Sequence, residues 1–122
     1  MISIDYQSKI PFYEQIAERF KTLILKGVLK PHTQLPSVRS LAVNLSINPN
    51  TIQKAYMELD RRGILVSVPG KGSFISAEAL KIVGNQSKEK LSDLKEIVRK
   101  LAYAGVSKSE IIDMIEEVYK KI

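Results

Sequence analysis

Two helix-length apolar patterns are separated by a turn of three residues, Ser46-Ile47-Asn48, and this spacing constrains the chain more than any other feature. Upstream of the turn, Ser37 is placed to cap a short helix. Val38, Leu41, Ala42 and Leu45 fall on one face of it. Downstream, Asn48 is the expected cap of a longer helix, with Pro49 as its first residue, where a missing N–H costs nothing. Ile52, Ala55, Tyr56 and Leu59 make its inward stripe. Gly63 ends it, with Arg61 and Arg62 in the last turn beside the negative end of the dipole. The two helices are joined by this short turn, with a helix before them and a hairpin after. They are expected to cross as a helix-turn-helix.

The flanks complete the pattern. A first helix is expected from about Pro11 to Lys26, with Ile16, Phe20, Leu23 and Ile24 on one face, ended by Gly27 and a loop holding Pro31 and Pro36. After the helix pair, Ile64–Val68 and Ser73–Ile75 read as two strands joined at Pro69-Gly70-Lys71-Gly72. The remainder is helical. Leu91, Leu94, Val98 and Leu101 recur at helical spacing, as do Ile111, Ile115, Val118 and Ile122, with a break at Tyr103–Val106. Ser107 and Glu110 have capping-box spacing and should open the last helix. Gly84-Asn85-Gln86 is expected to interrupt the stretch between the hairpin and these helices. The fold class is therefore mainly α with a small β-hairpin: a winged helix-turn-helix over residues 1–76, then a short helical tail over residues 77–122, whose stripes either fold back on the winged domain as core or, the favoured reading, pack against a second copy as a dimerisation tail.

Composition narrows what such a chain can do. It has 122 residues, 44% hydrophobic and 26% charged, the balance of a soluble globular protein. With no cysteine and one histidine, His32, it has neither thiolate chemistry nor a histidine cluster. No carboxylates cluster in a cleft-forming segment, so no enzyme, metal site or cofactor is expected. The longest near-continuous apolar run, Ile64–Val68, is far short of the roughly 20 residues that cross a bilayer. The first residues do not read as a signal peptide, so a cytoplasmic protein with no membrane partner is expected. The net charge is +6. Residues 1–76 hold ten bases against five acids and residues 77–122 nine against eight, so the excess lies in the front segment. That segment suits a polyanion, and the tail suits a protein contact.

Outside its inward stripe, the second helix of the pair offers Asn50, Thr51, Gln53, Lys54 and Met57. The major groove of B-DNA admits one α-helix. There Asn and Gln pair with adenine, Lys reaches guanine, and Thr meets a thymine methyl or a phosphate. Gly70-Lys71-Gly72 puts a cation on a tight turn whose amides can approach a phosphate. Gly-Lys-Gly-Ser is not a nucleotide-binding loop, because Val66 and Leu65 stand where its first glycine is needed and no helix follows. Arg39, in the first turn after Ser37, can grip the sugar–phosphate backbone. The tyrosines (6, 13, 56, 103 and 119) are expected to pack with their hydroxyls in water, and His32 to lie on the surface. A winged-helix module that binds protein or RNA remains the alternative, since folds do not fix functions.

Four linked motifs then resemble the GntR family of bacterial transcriptional regulators, over about residues 2–76. They are Leu35-Pro36-Ser37-Val38-Arg39-Ser40-Leu41-Ala42, Asn48 through Tyr56, Leu59-Asp60-Arg61-Arg62-Gly63-Ile64-Leu65, and Gly70-Lys71-Gly72-Ser73-Phe74. The Asn-Pro-Asn-Thr start, the Ala55–Tyr56 pair and the short tail are similar to the YtrA-like subgroup. The resemblance implies a repressor of its own operon, often one for an ABC transporter or an envelope-stress response. It also implies a homodimer joined through the tail on a twofold-related double-stranded DNA operator. It carries DNA contact onto Ser37, Arg39, Asn48, Asn50, Thr51, Gln53, Lys54, Gly70, Lys71 and Gly72. Dimer contact falls on Leu91, Leu94, Val98, Leu101, Ile111, Ile115, Val118 and Ile122. Val38 stands where many members have glutamate, Pro49-Asn50 where many have arginine, and Ser73 where threonine is common, so those members' base preference does not transfer. No residue cluster marks a small-molecule effector; a site between subunits stays open.

Overall fold

A computed structural model describes residues 2–122. The elements run α1 (Phe12–Leu25), α2 (Val38–Leu45), α3 (Pro49–Arg61), β1 (Leu65–Val68), β2 (Gly72–Ile75), α4 (Ala79–Glu89), α5 (Leu91–Tyr103) and α6 (Lys108–Lys120). The expected caps are in place. The Ser37 hydroxyl accepts from Ser40 N–H, the Asn48 carboxamide oxygen from Asn50 N–H, and the Ser107 hydroxyl from Glu110 N–H. Each satisfies one of the amides that a helix start leaves without a partner. Pro11 stands just before α1 as its cap residue rather than inside it.

The chain divides into two units, residues 1–85 and 86–122. The core of the first unit is built from the inward stripes: Ile16, Phe20 and Ile24 of α1; Leu41 and Leu45 of α2; Ile52, Ala55, Tyr56 and Leu59 of α3. Ile64, Leu65 and Ile75 close it from the hairpin. At the end of α3, Gly63 adopts φ +79°, while Ile64 N–H bonds Leu59 O and Gly63 N–H bonds Asp60 O. This left-handed cap turns the chain straight into the wing and buries Ile64 against the core. The hairpin is antiparallel, with Leu65 opposite Ile75 and Val66 opposite Phe74.

Two expectations are corrected. Gly84-Asn85-Gln86 does not interrupt a helix but lies within α4. Ala79 and Val83, both buried in the core of the first unit, carry the helix across these residues, and one mid-helix glycine costs only about 1 kcal/mol. The hydroxyls of three tyrosines are not left to water but have protein partners, Tyr13 Oη donating to the neighbouring Glu14 carboxylate at 3.2 Å. Tyr6 Oη donates to Leu45 O, and Tyr56 Oη donates to Pro36 O at 2.7 Å. Burial pushes the Tyr56 phenol well above its ordinary pKa, so it stays protonated and a donor.

In the second unit, α5 ends on Gly105 at φ +94°, with Val106 N–H on Leu101 O, and α6 starts at its Ser107 cap. Among the described residues of this unit, Ile111 is the one buried apolar side chain.

Candidate nucleic-acid interface

α3 buries one face and leaves the other bare. With Ile52, Ala55, Tyr56 and Leu59 turned inward, Asn50, Gln53, Lys54, Met57 and Arg61 are exposed. Asn50, Gln53, Lys54, Met57 and Arg61 line a shallow, open hollow along the helix. Gln53, Met57 and Arg61 also edge a second hollow of about 270 Å³, closed on its far side by Ser67 and Ser73 of the wing. The face of α3 and the inner face of the hairpin are therefore continuous.

The other expected residues fall around this face. Ser37 and Asn48 are exposed caps, Arg39 is exposed in the first turn of α2, and Thr51 is half-buried. Both helix starts present the positive end of a helix dipole, an element that holds phosphates elsewhere; at α3, Pro49 has no N–H and the Asn50 and Thr51 amides already donate to Asn48. Gly70, Lys71 and Gly72 form the exposed wing tip. Gly70 has φ +76° behind Pro69, and Lys71 N–H bonds Val68 O at 2.9 Å, the pattern of a turn with glycine at its third position.

Three basic side chains are held in ways the sequence did not suggest. The Lys54 ammonium lies 3.9 Å from the centre of the Tyr13 ring of α1, drawn to that side of α3. This places its charge at the edge of the face. Arg61 and Arg62 both bond Glu58. Arg61 Nη2 reaches both carboxylate oxygens at 2.8 and 2.9 Å, and Arg62 Nε reaches one at 3.3 Å. These bonds, from Arg61 foremost, hold the Glu58 carboxyl below its ordinary pKa. Met57 and Arg61 belong to the exposed stripe by position, four residues on from Gln53 and from Met57 respectively. For Arg61, expected from the sequence only in the last turn, that spacing is the signal that includes it.

Tyr56 links two parts of the interface. Its ring packs edge-on against Phe20 at 5.8 Å, and its hydroxyl fixes the Pro36 carbonyl just before the α2 cap. The start of α2, with Arg39, is thereby tied to α3.

In the tail, Leu91 (63% exposed), Leu94 (45%), Ile97 (54%), Ile115 (39%), Val118 (55%) and Ile122 (92%) leave a long apolar surface open. Val98 and Leu101 are half-buried, and Ile111 is covered within its own chain. Ile97, Ile112 and Met114 are exposed apolar residues that the stripes read from the sequence left out. No group of acidic or histidine side chains among the described residues could hold a metal ion, and no helix is long and apolar enough to cross a membrane.

Residues 12–75 match the family model described as bacterial regulatory proteins, gntR family. The chain is 42% identical over 120 residues to the HTH-type transcriptional repressor YtrA of Bacillus subtilis, covering 97% of this chain and 92% of that protein. Its structure is similar to the crystal structure of a transcriptional antiterminator from Listeria monocytogenes, with a TM-score of 0.80, 37% identity, and coverage of 98% of this chain and 90% of that one. It is also similar to the DNA-binding domain of AraR, solved in complex with an operator. There the TM-score is 0.56 at 28% identity, over 62% of this chain and 96% of that one. The relatives are transcriptional regulators, not enzymes.

Proposed function

The chain belongs to the GntR family of bacterial regulatory proteins, and from that premise we propose that it is a homodimeric repressor that reads a twofold-related DNA operator with α3 and grips the flanking backbone with α2 and the wing. That it is a DNA-binding transcriptional regulator follows from the family. The observation that carries the finer reading is the bare face of α3, Asn50, Gln53 and Met57, continuous with the wing. Direct readout would fall to Asn50, Thr51 and Gln53. Arg39, Lys54, Lys71 and the amides at Ser37, Asn48, Gly70 and Gly72 would set register on phosphates and sugars.

The open apolar surface of the tail supports the dimer. Two helices with one buried side chain between them lack a core of their own, and a second copy would supply the missing half. The repressor would act in the cytoplasm by covering a promoter, in the first place that of its own operon. An ABC-transporter operon is the target the family resemblance suggests.

The test is a binding series on a duplex selected from random-sequence DNA by the unmodified chain. Arg39→Ala is expected to cost about 1.5–3 kcal/mol, the range for a hydrogen bond to a charged group. Gln53→Ala is expected to cost about 1–3 kcal/mol and to relax preference at one or two base pairs. Affinity unchanged by both substitutions would contradict the assignment. So would binding that is indifferent to salt, since phosphate contacts release counterions.

A further inference from the structure

The segment before α2 runs beside the wing. His32 N–H donates to Ile75 O and Ile75 N–H to Thr33 O, both at 2.8 Å; Leu35 N–H donates to Ser73 O at 2.9 Å. Gln34 faces Phe74 across an antiparallel bridge. Residues 32–35 thus form an irregular third edge to the hairpin. From that edge the Gln34 side chain reaches the tip, where Nε2 donates to Lys71 O at 2.8 Å. It passes directly over Gly72, where an added Cβ would lie 2.8 Å from the same Nε2. Gly72 also has φ +121°, a conformation that strains any side chain there, and a Cβ at this position would have to push the Gln34 carboxamide aside. The tip is held at both ends of one peptide group's neighbourhood: Lys71 N–H by Val68 O, and Lys71 O by Gln34.

We propose that Gln34 is a positioning residue of the interface, its carboxamide fixing the wing tip and the Lys71 cation relative to the start of α2 and Arg39. This rests on the reading of the wing as a DNA contact. The geometry gives the device its purpose. Gln34 lies three residues before the Ser37 cap, and Tyr56 holds the intervening Pro36 to α3. One short segment therefore sets the relative places of α2, α3 and the wing. Without the Gln34 bond, a tip flanked by two glycines has more conformations to lose when it meets a phosphate. At an exposed site the bond itself adds little to folding, so its loss should appear in binding and not in melting.

The experiment uses the full chain and the selected duplex, with affinity measured across a salt series. Gln34→Met keeps the side-chain length and removes the donor; Lys71→Ala removes the cation. Gln34→Met is expected to weaken binding about three- to tenfold and to lower the salt slope by up to about 1, as Lys71→Ala does. Its melting midpoint should match the unmodified chain. In the Lys71→Ala background it should add less than about twofold, because the two residues act through one contact. If Lys71→Ala weakens binding and Gln34→Met does not, the positioning role is wrong while the wing reading stands. If the two effects simply add, Gln34 acts by another route and the inference fails. If Lys71→Ala changes neither affinity nor slope, the wing reading fails and takes the inference with it.

Discussion

Phe20→Ala is expected to destabilise the first unit by about 3–5 kcal/mol, the cost of emptying a large aromatic site in a packed core. Phe20 has no solvent exposure, and its ring sits edge-on to Tyr56 between α1 and α3. The cavity would open behind the recognition helix, where neighbouring side chains are β-branched or already packed and collapse is limited. For a unit of this size, each kcal/mol lowers the melting midpoint by about 4–8 °C, so a fall of about 12 °C or more is expected by calorimetry or circular dichroism. Tyr56 would lose its packing partner, and its hold on the Pro36 carbonyl would loosen with it. DNA affinity should therefore fall even below the new midpoint. A change of less than about 1 kcal/mol, at the low end of single substitutions, would mean that Phe20 does not fill the core between α1 and α3.

Leu94→Asp tests the tail, and the expected effect is larger still on function. Leu94 is 45% exposed within one chain, so a carboxylate there costs the isolated chain little. At an interface between copies the same carboxylate would be buried without a partner, which costs several kcal/mol. The variant is expected to sediment as a monomer and to melt in its first unit as the unmodified chain does. Loss of the second half-site removes the gain from joined binding, so affinity for the selected duplex should fall about 10²–10⁴-fold. A variant that remains dimeric with unchanged affinity would remove this face from the assembly.

How much of this was legible in the sequence follows from the range of each interaction. The stripe Ile52, Ala55, Tyr56 and Leu59 and the caps at Ser37, Asn48 and Ser107 are local, set by spacings of a few residues, and all appear in the structure. The exposed positions of Asn50, Gln53 and Lys54 follow from the same periodicity. What escaped is set by partners distant along the chain. Gln34 meets Lys71 across 37 positions, and Tyr56 meets Pro36 across 20. Lys54 stacks on Tyr13 of another helix. Gly84 misled for the related reason that tertiary burial of Ala79 and Val83 outweighs a local breaker. In the tail, Ile97, Ile112 and Met114 lie beside the chosen stripes. Spacing alone does not say how wide an uncovered face is.

The central claim is that α3 enters the major groove in two copies, with the wing on the adjacent backbone. Hydroxyl-radical footprinting of the full chain on its selected duplex tests this most directly. Two related protected half-sites are expected, centred about one helical turn or a whole multiple of it apart, with each half-site losing its outer protection in Lys71→Ala. A single unpaired patch, or protection without any sequence common to the selected duplexes, would contradict the account.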